Sequence, residues 1–559
     1  MASNYSFAVM PSVSISRSRF ERKSQHKTSF NLGDIVPIYV DEVLPGDTRS
    51  IDLAALVRMS TPIAPIMDNI YLDYFAFFVP NRLVMDKWKV FMGENELSAG
   101  IPTEKVSIPS IRFSSPGEDE TVEDIIPVDS LAAYFGIPVG AGYGDNNPIQ
   151  ISALPFRMYY LIYNEWFRNQ NIIAPVAISK AATNGVLVSN SLWGTSYDCD
   201  TKLPLMKAAK LPDYFTKALP YAQKGDAVQI PLGLTAPIIG ALDEGSPDFH
   251  SSSGLYFATD NDGPEAISGL LGTDDDGLLG IDSQTFTSDG DVAYNNLVAD
   301  LSKVAGTINE LRYAFQLQKF LEADSRFGTR YWEILAGHFN VRAPDASLQR
   351  PEYLGGHRMN INIDQVLSTA GYSNTSSTTV GAPGANSVTG KKVSLFTKSF
   401  TEHGFIFILA VARHDQTYSA GVNKMWMRKS RYDFYWPEFA NLGAQAVYYN
   451  ELKYDGATPN NGIFGYQEAW AEYRYKPSLA TGLMNPERSG SLDYWTLTND
   501  FGAYIPQLNK SFIEQGRDAL SRALVTGLTG PDFIGDFFFR DVAVRPMPTY
   551  SIPGLADHH

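Results

Sequence analysis

Between Ile70 and Val79 nine of ten consecutive residues are apolar or aromatic, and only Asp73 interrupts the run. Ten residues are too few to cross a membrane as a helix. The aromatic and β-branched content reads as a strand buried on both faces, although a buried helix shares the lack of periodicity. Pro80 offers no ladder N–H and ends the strand. Asn81 is placed to cap a short helix, Arg82–Met92, that turns Leu83, Trp88 and Phe91 inward. So apolar a strand must be covered from both sides, and the covering strands must come from elsewhere in the chain.

Candidates lie far apart. Ile35–Val43 reads as a strand, Leu44-Pro45-Gly46-Asp47 as a turn, and Thr48–Leu53 as the returning strand. Later come a strand around Arg358–Ile363 and a second deeply buried one, Lys392–Ala412, centred on GFIFILAVA. Tyr466–Pro477 alternates like a half-buried strand, and Asp532–Val544 carries Phe537, Phe538 and Phe539. Ala153–Arg168 and Thr307–Phe339 show helical spacing, the latter divided at Gly328. Thr369–Gly390 has the composition of a mobile loop. Gly140–Gly144 has neither a GxGxxG nor a GK[ST] pattern, so it reads as a loop and not a phosphate cradle. A chain of 559 residues usually means several domains. Here strong strands near both ends, joined by long helix-bearing connections without a βαβα rhythm, point to one Greek-key sandwich or barrel with inserts.

The formal charge of −16 is unevenly spread. Gly225–Ser302 holds fourteen Asp or Glu and no Lys or Arg, leaving forty-five basic against forty-seven acidic residues elsewhere. The tract is rich in Gly, Ser, Asp and Thr and reads as a solvent-facing insertion. Asp274-Asp275-Asp276-Gly277 fails the EF-hand pattern, because Gly272 stands where the first Asp is required. Residues 1–30 are the opposite: Arg17, Arg19, Arg22, Lys23 and Lys27 face one acid, Glu21. They read as an extended polar arm ahead of the first strand, either a solvated terminus or a non-specific phosphate-binding arm. The single cysteine, Cys199, excludes an internal disulfide framework. The start of the chain lacks the pattern of a signal peptide, and no window matches a transmembrane helix, which sets the expectation of a soluble cytoplasmic product.

Several long motifs resemble one family. They are VLPGDTRSIDL (Val43–Leu53), FAFFVPNRLVMDKW (Phe75–Trp88) and FGTRYWEILAGHFNVRAPDASLQRPEYLGG (Phe327–Gly356). With them go EHG (Glu402–Gly404), FGYQEAWAEYRYKPS (Phe464–Ser478) and NPERSGSLDYW (Asn485–Trp495). In order and nearly end to end, the chain resembles the major capsid proteins of microviruses, nearest the gokushovirus branch. The resemblance implies an eight-stranded antiparallel viral jelly roll with long inserted loops and several helices. It implies a homo-oligomeric T=1 icosahedral shell, assembled in a host bacterial cytoplasm, around circular single-stranded DNA. It also implies a protrusion at each threefold axis built from an insertion. The expected organisation is a basic arm (1–30), a first core part (31–182), an acidic surface insertion (183–302), and helices with the second core part (303–559). Implied partners are the genome, a small basic DNA-binding protein, minor virion or scaffolding proteins and a host surface receptor. No catalytic residue, metal site or cofactor is carried over.

Two other classes stay open on the residues alone. A glycan-active all-β enzyme needs two carboxylates at a defined separation, and sixty-one acids always offer some pair. His338, His357, His403 and His414 show no HExxH spacing, and no GxSxG elbow is present. A lectin-like sandwich suits the strands but leaves the basic stretch unexplained. The aromatic segments Tyr432–Trp436 and Tyr448–Tyr449 are expected to be buried between subunits.

Overall fold

The computed structural model describes residues 15–94, 106–113, 128–138, 149–181, 186–187, 203–228, 308–369, 380–381, 383–454, 456, 462–502 and 504–550, with six short strands between 238 and 299. Gly140–Gly144, Cys199 and Asp274–Gly277 lie outside the described residues. The chain divides into two compact units, residues 1–222 with 325–559 and residues 223–324.

The larger unit is built on two antiparallel four-stranded sheets. Its strands are β1 (Ser18–Phe30), β2 (Ile35–Val43), β3 (Thr48–Met59), β4 (Ile70–Pro80), β5 (Glu352–Asn360), β6 (Val388–Ser399), β7 (Gly404–His414) and β8 (Phe533–Arg545). The first sheet runs β1-β8-β3-β6 and the second β5-β4-β7-β2. Both are open-ended.

Strand β4 is central, as its composition demands. Alternate residues Ile70, Leu72, Tyr74, Ala76 and Phe78 enter the core between the sheets. Phe77 and Val79 point the other way, into a second core closed by the helix α1 (Leu154–Ile162). Its neighbour β7 divides likewise, with Ile406, Ile408, Ala410 and Ala412 on one side and Phe407, Leu409 and Val411 on the other. Two-sided burial erases alternation, hence the continuous apolar runs. Each fully buried Val, Leu, Ile or Phe contributes about 1.5–3 kcal/mol. Pro155 in the first turn of α1 occupies a position where its missing N–H costs nothing. Tyr159 donates to the Ile35 carbonyl (2.7 Å) and accepts from the Met206 N–H (3.0 Å), tying α1 to β2.

Several boundaries depart from expectation. The arm 18–30 is no free arm: it is β1, paired along its whole length with β8. Lys392–Ala412 is two strands in different sheets, parted at Phe400–His403. Arg358–Ile363 is the tail of a strand that starts at Glu352. Part of the Thr369–Gly390 tract is strand, Pro383–Asn386 pairing with Asp364–Leu367. Ile463–Gln467 is a strand, but Trp470 adopts a left-handed conformation (φ 61°) and the chain continues as a 3-10 turn, Ala471–Tyr473. The Arg82–Met92 helix is two pieces, Asn81–Leu83 and Trp88–Phe91, and the Asn81 side chain caps neither. Leu83 is buried, and Trp88 and Phe91 are half-buried against the second core. Two long elements stand as expected: α2 (Ile308–Phe327) and α3 (Tyr331–Phe339), with Gly328 at φ 107° between them.

In the smaller unit three short antiparallel pairs are described, Ile238–Gly240 with Leu297–Ala299, Tyr256–Thr259 with Gly263–Ala266, and Leu271–Thr273 with Leu279–Ile281.

Candidate assembly and nucleic-acid interfaces

A strand sends successive side chains to opposite faces, and β1 sorts its cations accordingly. Arg19, Lys23 and Lys27 point to solvent with Glu21 and Gln25, whereas Phe20, Arg22, His26 and Phe30 turn inward. Arg17, just before the strand, is exposed. Arg22 is therefore separated from the other four predicted phosphate ligands. Its Nε and Nη2 donate to Asp541 (3.0 and 2.7 Å), and Nη2 also reaches Asp41 and the Tyr39 hydroxyl. Arg49, fully buried, donates to the same acids, through Nε to Asp541 (2.9 Å) and Nη2 to Asp41 (2.6 Å). Arg545 completes the cluster on Asp47 (3.0 Å).

This network ties β1, β2, β3 and β8 together at one end of the sandwich. Burial works against the charge of Arg22, but the Asp41 and Asp541 carboxylates outweigh it and raise the guanidinium above its ordinary value. Burial likewise opposes ionised Asp41, and Arg22 and Arg49 reverse the balance and lower it. Arg22 is thus engaged by Asp41, Asp541 and Tyr39 within the sandwich. The signal was in the sequence: Arg19, Glu21, Lys23, Gln25 and Lys27 all occupy odd positions.

The outward face of the first sheet gathers further cations that single-stretch reading missed. Arg58 from β3 and Lys392 from β6 are exposed there, and Arg540 from β8 lies on the same face. Glu21 pairs with Arg540 (2.8 Å) and Lys23 (3.6 Å), and Asp52 lies 3.6 Å from Arg540. Asp536 accepts from Gln25 (2.7 Å). Among the described residues Arg19, Lys27, Arg58 and Lys392 have no such partner.

A different surface carries aromatic side chains. On the connection between β7 and β8, Trp426, Tyr432, Phe434, Tyr435, Trp436 and Tyr473 are exposed, Trp426 by 75 %. Arg428 stands over Phe434 (5.2 Å) and Tyr473 (4.6 Å) and reaches Glu472 at 3.3 Å. Tyr, Trp and Arg in such density is the composition of an interface centre. Tyr448, half-buried, lines the same cleft as Trp426, Arg428 and Tyr432, whereas Tyr449 turns away and packs against a third core around Phe464 and Phe512.

Of the four singled-out histidines only His414 is buried, its Nδ1 2.7 Å from the Asp415 carbonyl oxygen. Among the described residues no group of three or more His, Cys, Asp or Glu is arranged to hold a metal ion, and no helix is long and apolar enough to cross a membrane.

The family model for the capsid protein (F protein) matches residues 8–555. The chain is 39% identical over 570 residues to capsid protein VP1 of Bdellovibrio phage phiMH2K, covering 98% of this chain and 97% of that one. It is 36% identical to capsid protein VP1 of Chlamydia phage 1 (98% and 97% covered) and 35% identical to that of Spiroplasma virus 4 (95% and 94%). Since the likeness runs through both sheets and every long connection between them, the chain belongs to the capsid protein (F protein) family, as a microvirus major capsid protein.

Proposed function

We propose that this chain is the subunit of a T=1 icosahedral shell that encloses a circular single-stranded DNA genome, and that its two sheets are the eight-stranded jelly roll of such shells. The observation that carries the reading is the pairing order. Counted along the chain, the strands pair 1 with 8, 2 with 7, 3 with 6 and 4 with 5 across the fold, giving sheet orders 1-8-3-6 and 5-4-7-2. The first sheet contains 1·8 and 3·6, the second 2·7 and 4·5. That order is the one expected of a four-pair hairpin rolled into two facing sheets, the double Greek key of a jelly roll, and so supports the reading. Long insertions between strands then fall at its ends, free to serve contacts between subunits.

The exposed aromatic surface 426–473 supports self-association, because a monomer gains nothing by leaving so many Trp and Tyr rings in water. Of the expected insertion 183–302, residues 203–222 belong to the larger unit, with Met206 and Phe215 in its cores. The acidic stretch 225–302 is assigned to external protrusions that meet a host receptor, since fourteen acids with no Lys or Arg among them would repel genome phosphates. The free cations Arg17, Arg19 and Lys27 are assigned to phosphate inside the shell, with a small basic protein supplying further positive charge and minor or scaffolding proteins assisting assembly. The glycan-active and lectin-like readings find no support in relatives that are named capsid proteins along almost the whole chain.

Electron microscopy of the expressed protein tests the proposal. Closed particles of one uniform diameter are expected; a stable monomer at high concentration under assembly conditions overturns it.

A further inference from the structure

We propose that the outward face of the first sheet is a stacking surface for single-stranded nucleic acid, with Phe538 as its base platform. The inference deepens the proposal that the shell encloses single-stranded DNA and rests on it for the identity of the strand.

Register places the parts. Across the sheet, Gln25, Phe538, Ala54 and Lys392 form one row, and Lys27, Asp536, Leu56 and Gly390 the next. Beyond that lies Ser29, Ile534, Arg58 and Val388; on the other side lies Lys23, Arg540, Asp52 and Ser394. Phe538 is 40 % exposed, although a phenyl ring in a sheet is ordinarily turned to a core. Its neighbour towards β6 is Ala54, so no tall side chain covers the ring from that strand. Leu56 and Ile534, also exposed, extend the apolar strip along the next two rows.

Charge sets what the strip accepts. The protein as a whole is −16, yet this face holds Arg19, Lys23, Lys27, Arg58, Lys392 and Arg540 against Glu21, Asp52 and Asp536. The three acids are engaged by Arg540, Lys23 and Gln25. Three unpaired cations, Lys27, Arg58 and Lys392, stand around the apolar strip, and a fourth, Arg19, lies on the same face three rows away beside Val544. A protein partner with a matching hydrophobic patch would not need free cations on several sides of it. An exposed ring amid free cations suits a polyanion whose flat bases are unpaired, and such stacking is tolerant of sequence. A duplex offers phosphates but hides its base faces.

The test uses the full-length chain and its particles. A fluorescent oligo-dT probe is titrated against the wild type, F538A and F538W, and a variant carrying R58Q and K392Q, all checked for folding by circular dichroism. F538A is expected to weaken binding by about 5- to 150-fold, the equivalent of one lost stacked base, and F538W to restore it. Log affinity should fall against log salt with a slope of ~−2.8 for four phosphate contacts, and the double Gln variant should reduce that by ~1.4. In genome-filled particles, ultraviolet cross-linking should attach nucleotide to the Phe538 peptide. Unchanged binding by F538A, or F538W behaving as F538A, overturns the inference. So does a cross-link map that spares β1, β3, β6 and β8 while shells form normally, as it would if a second copy of the chain covered the face. Failure to form closed particles sinks the capsid proposal instead, and the oligo-dT titration still decides this one.

Discussion

Arg358 holds the Asp73 carboxylate from the adjacent strand through both Nε (2.6 Å) and Nη2 (2.9 Å). From the other side of β4, Arg413 closes on the same group. The one charge that interrupts the chain's most apolar strand is thus a clamp across three strands of the second sheet. Asp73 is almost fully buried, so its pairing is not the weak, screened kind found at surfaces.

Replacing Asp73 by Ala should therefore destabilise the fold by about 3–5 kcal/mol, because it strands Arg413 half-buried without a partner. Replacing Asp73, Arg358 and Arg413 together by apolar residues of similar volume should cost much less. Denaturant unfolding of the three proteins checks this, and equal losses in both variants would contradict it.

Acid should weaken the protein through His414. Burial, reinforced by the nearby Lys210 and Arg522 and opposed by Asp415, pushes its imidazole down to about 4 from an ordinary 6.5. Between those values the unfolded chain takes up a proton that the folded chain refuses, so stability falls as pH drops from 6.5 towards 4. The loss reaches about 3 kcal/mol at the low end. A His414→Gln variant should show a flatter melting temperature over that interval, and an unchanged slope would assign the acid sensitivity to other groups.

A second acid effect lies lower. Asp41 is held below its ordinary 3.8 by Arg22 and Arg49, which overcome the effect of burial. Its contribution is present above pH 3.8 and disappears as pH falls through the lower folded-state value. Asp41→Asn should be less stable than the wild type at neutral pH and converge with it in strong acid, read by thermal melts at both ends.

Truncating the aromatic surface should separate folding from assembly. Trp426→Ala combined with Tyr432→Ala removes exposed rings, so monomer stability should move by less than about 0.5 kcal/mol. A hot-spot loss of about 2 kcal/mol or more per contact is expected at the subunit interface. Sedimentation should then show folded, unassembled chains; normal particles would place the interface elsewhere.

Limited proteolysis of intact particles should cut first within residues 225–302, the acidic stretch assigned to the outside. Cleavage there only after disassembly would contradict that placement.

Some of this architecture was readable from residues alone. A ten-residue apolar run had to be covered on both sides, with aromatic and β-branched content favouring a strand over a buried helix, and β7 with its GFIFILAVA had to be buried likewise, because water tolerates neither. Gly328 between two helical patterns, and the turn at Pro45-Gly46, were written in local backbone preference. Long-range pairing decided the rest. β1 reads as a polar arm because one face meets water and the other meets Asp41 and Asp541 as well as a core, so no hydrophobic stripe marks it. It becomes a strand only through β8, with Arg22 and Asp541 separated by 519 positions. The same distance hid the cationic face of the first sheet. Lys27, Arg58, Lys392 and Phe538 come from four strands scattered over the chain, and only the register of hydrogen-bonded backbones sets them on neighbouring rows of one face. Local chemistry determined which segments are strands or helices wherever burial was two-sided or a turn demanded glycine. Which strands meet, and so which charges gather and which cancel, was decided by tertiary pairing, because a strand's partner is chosen by the whole sheet and not by its own sequence.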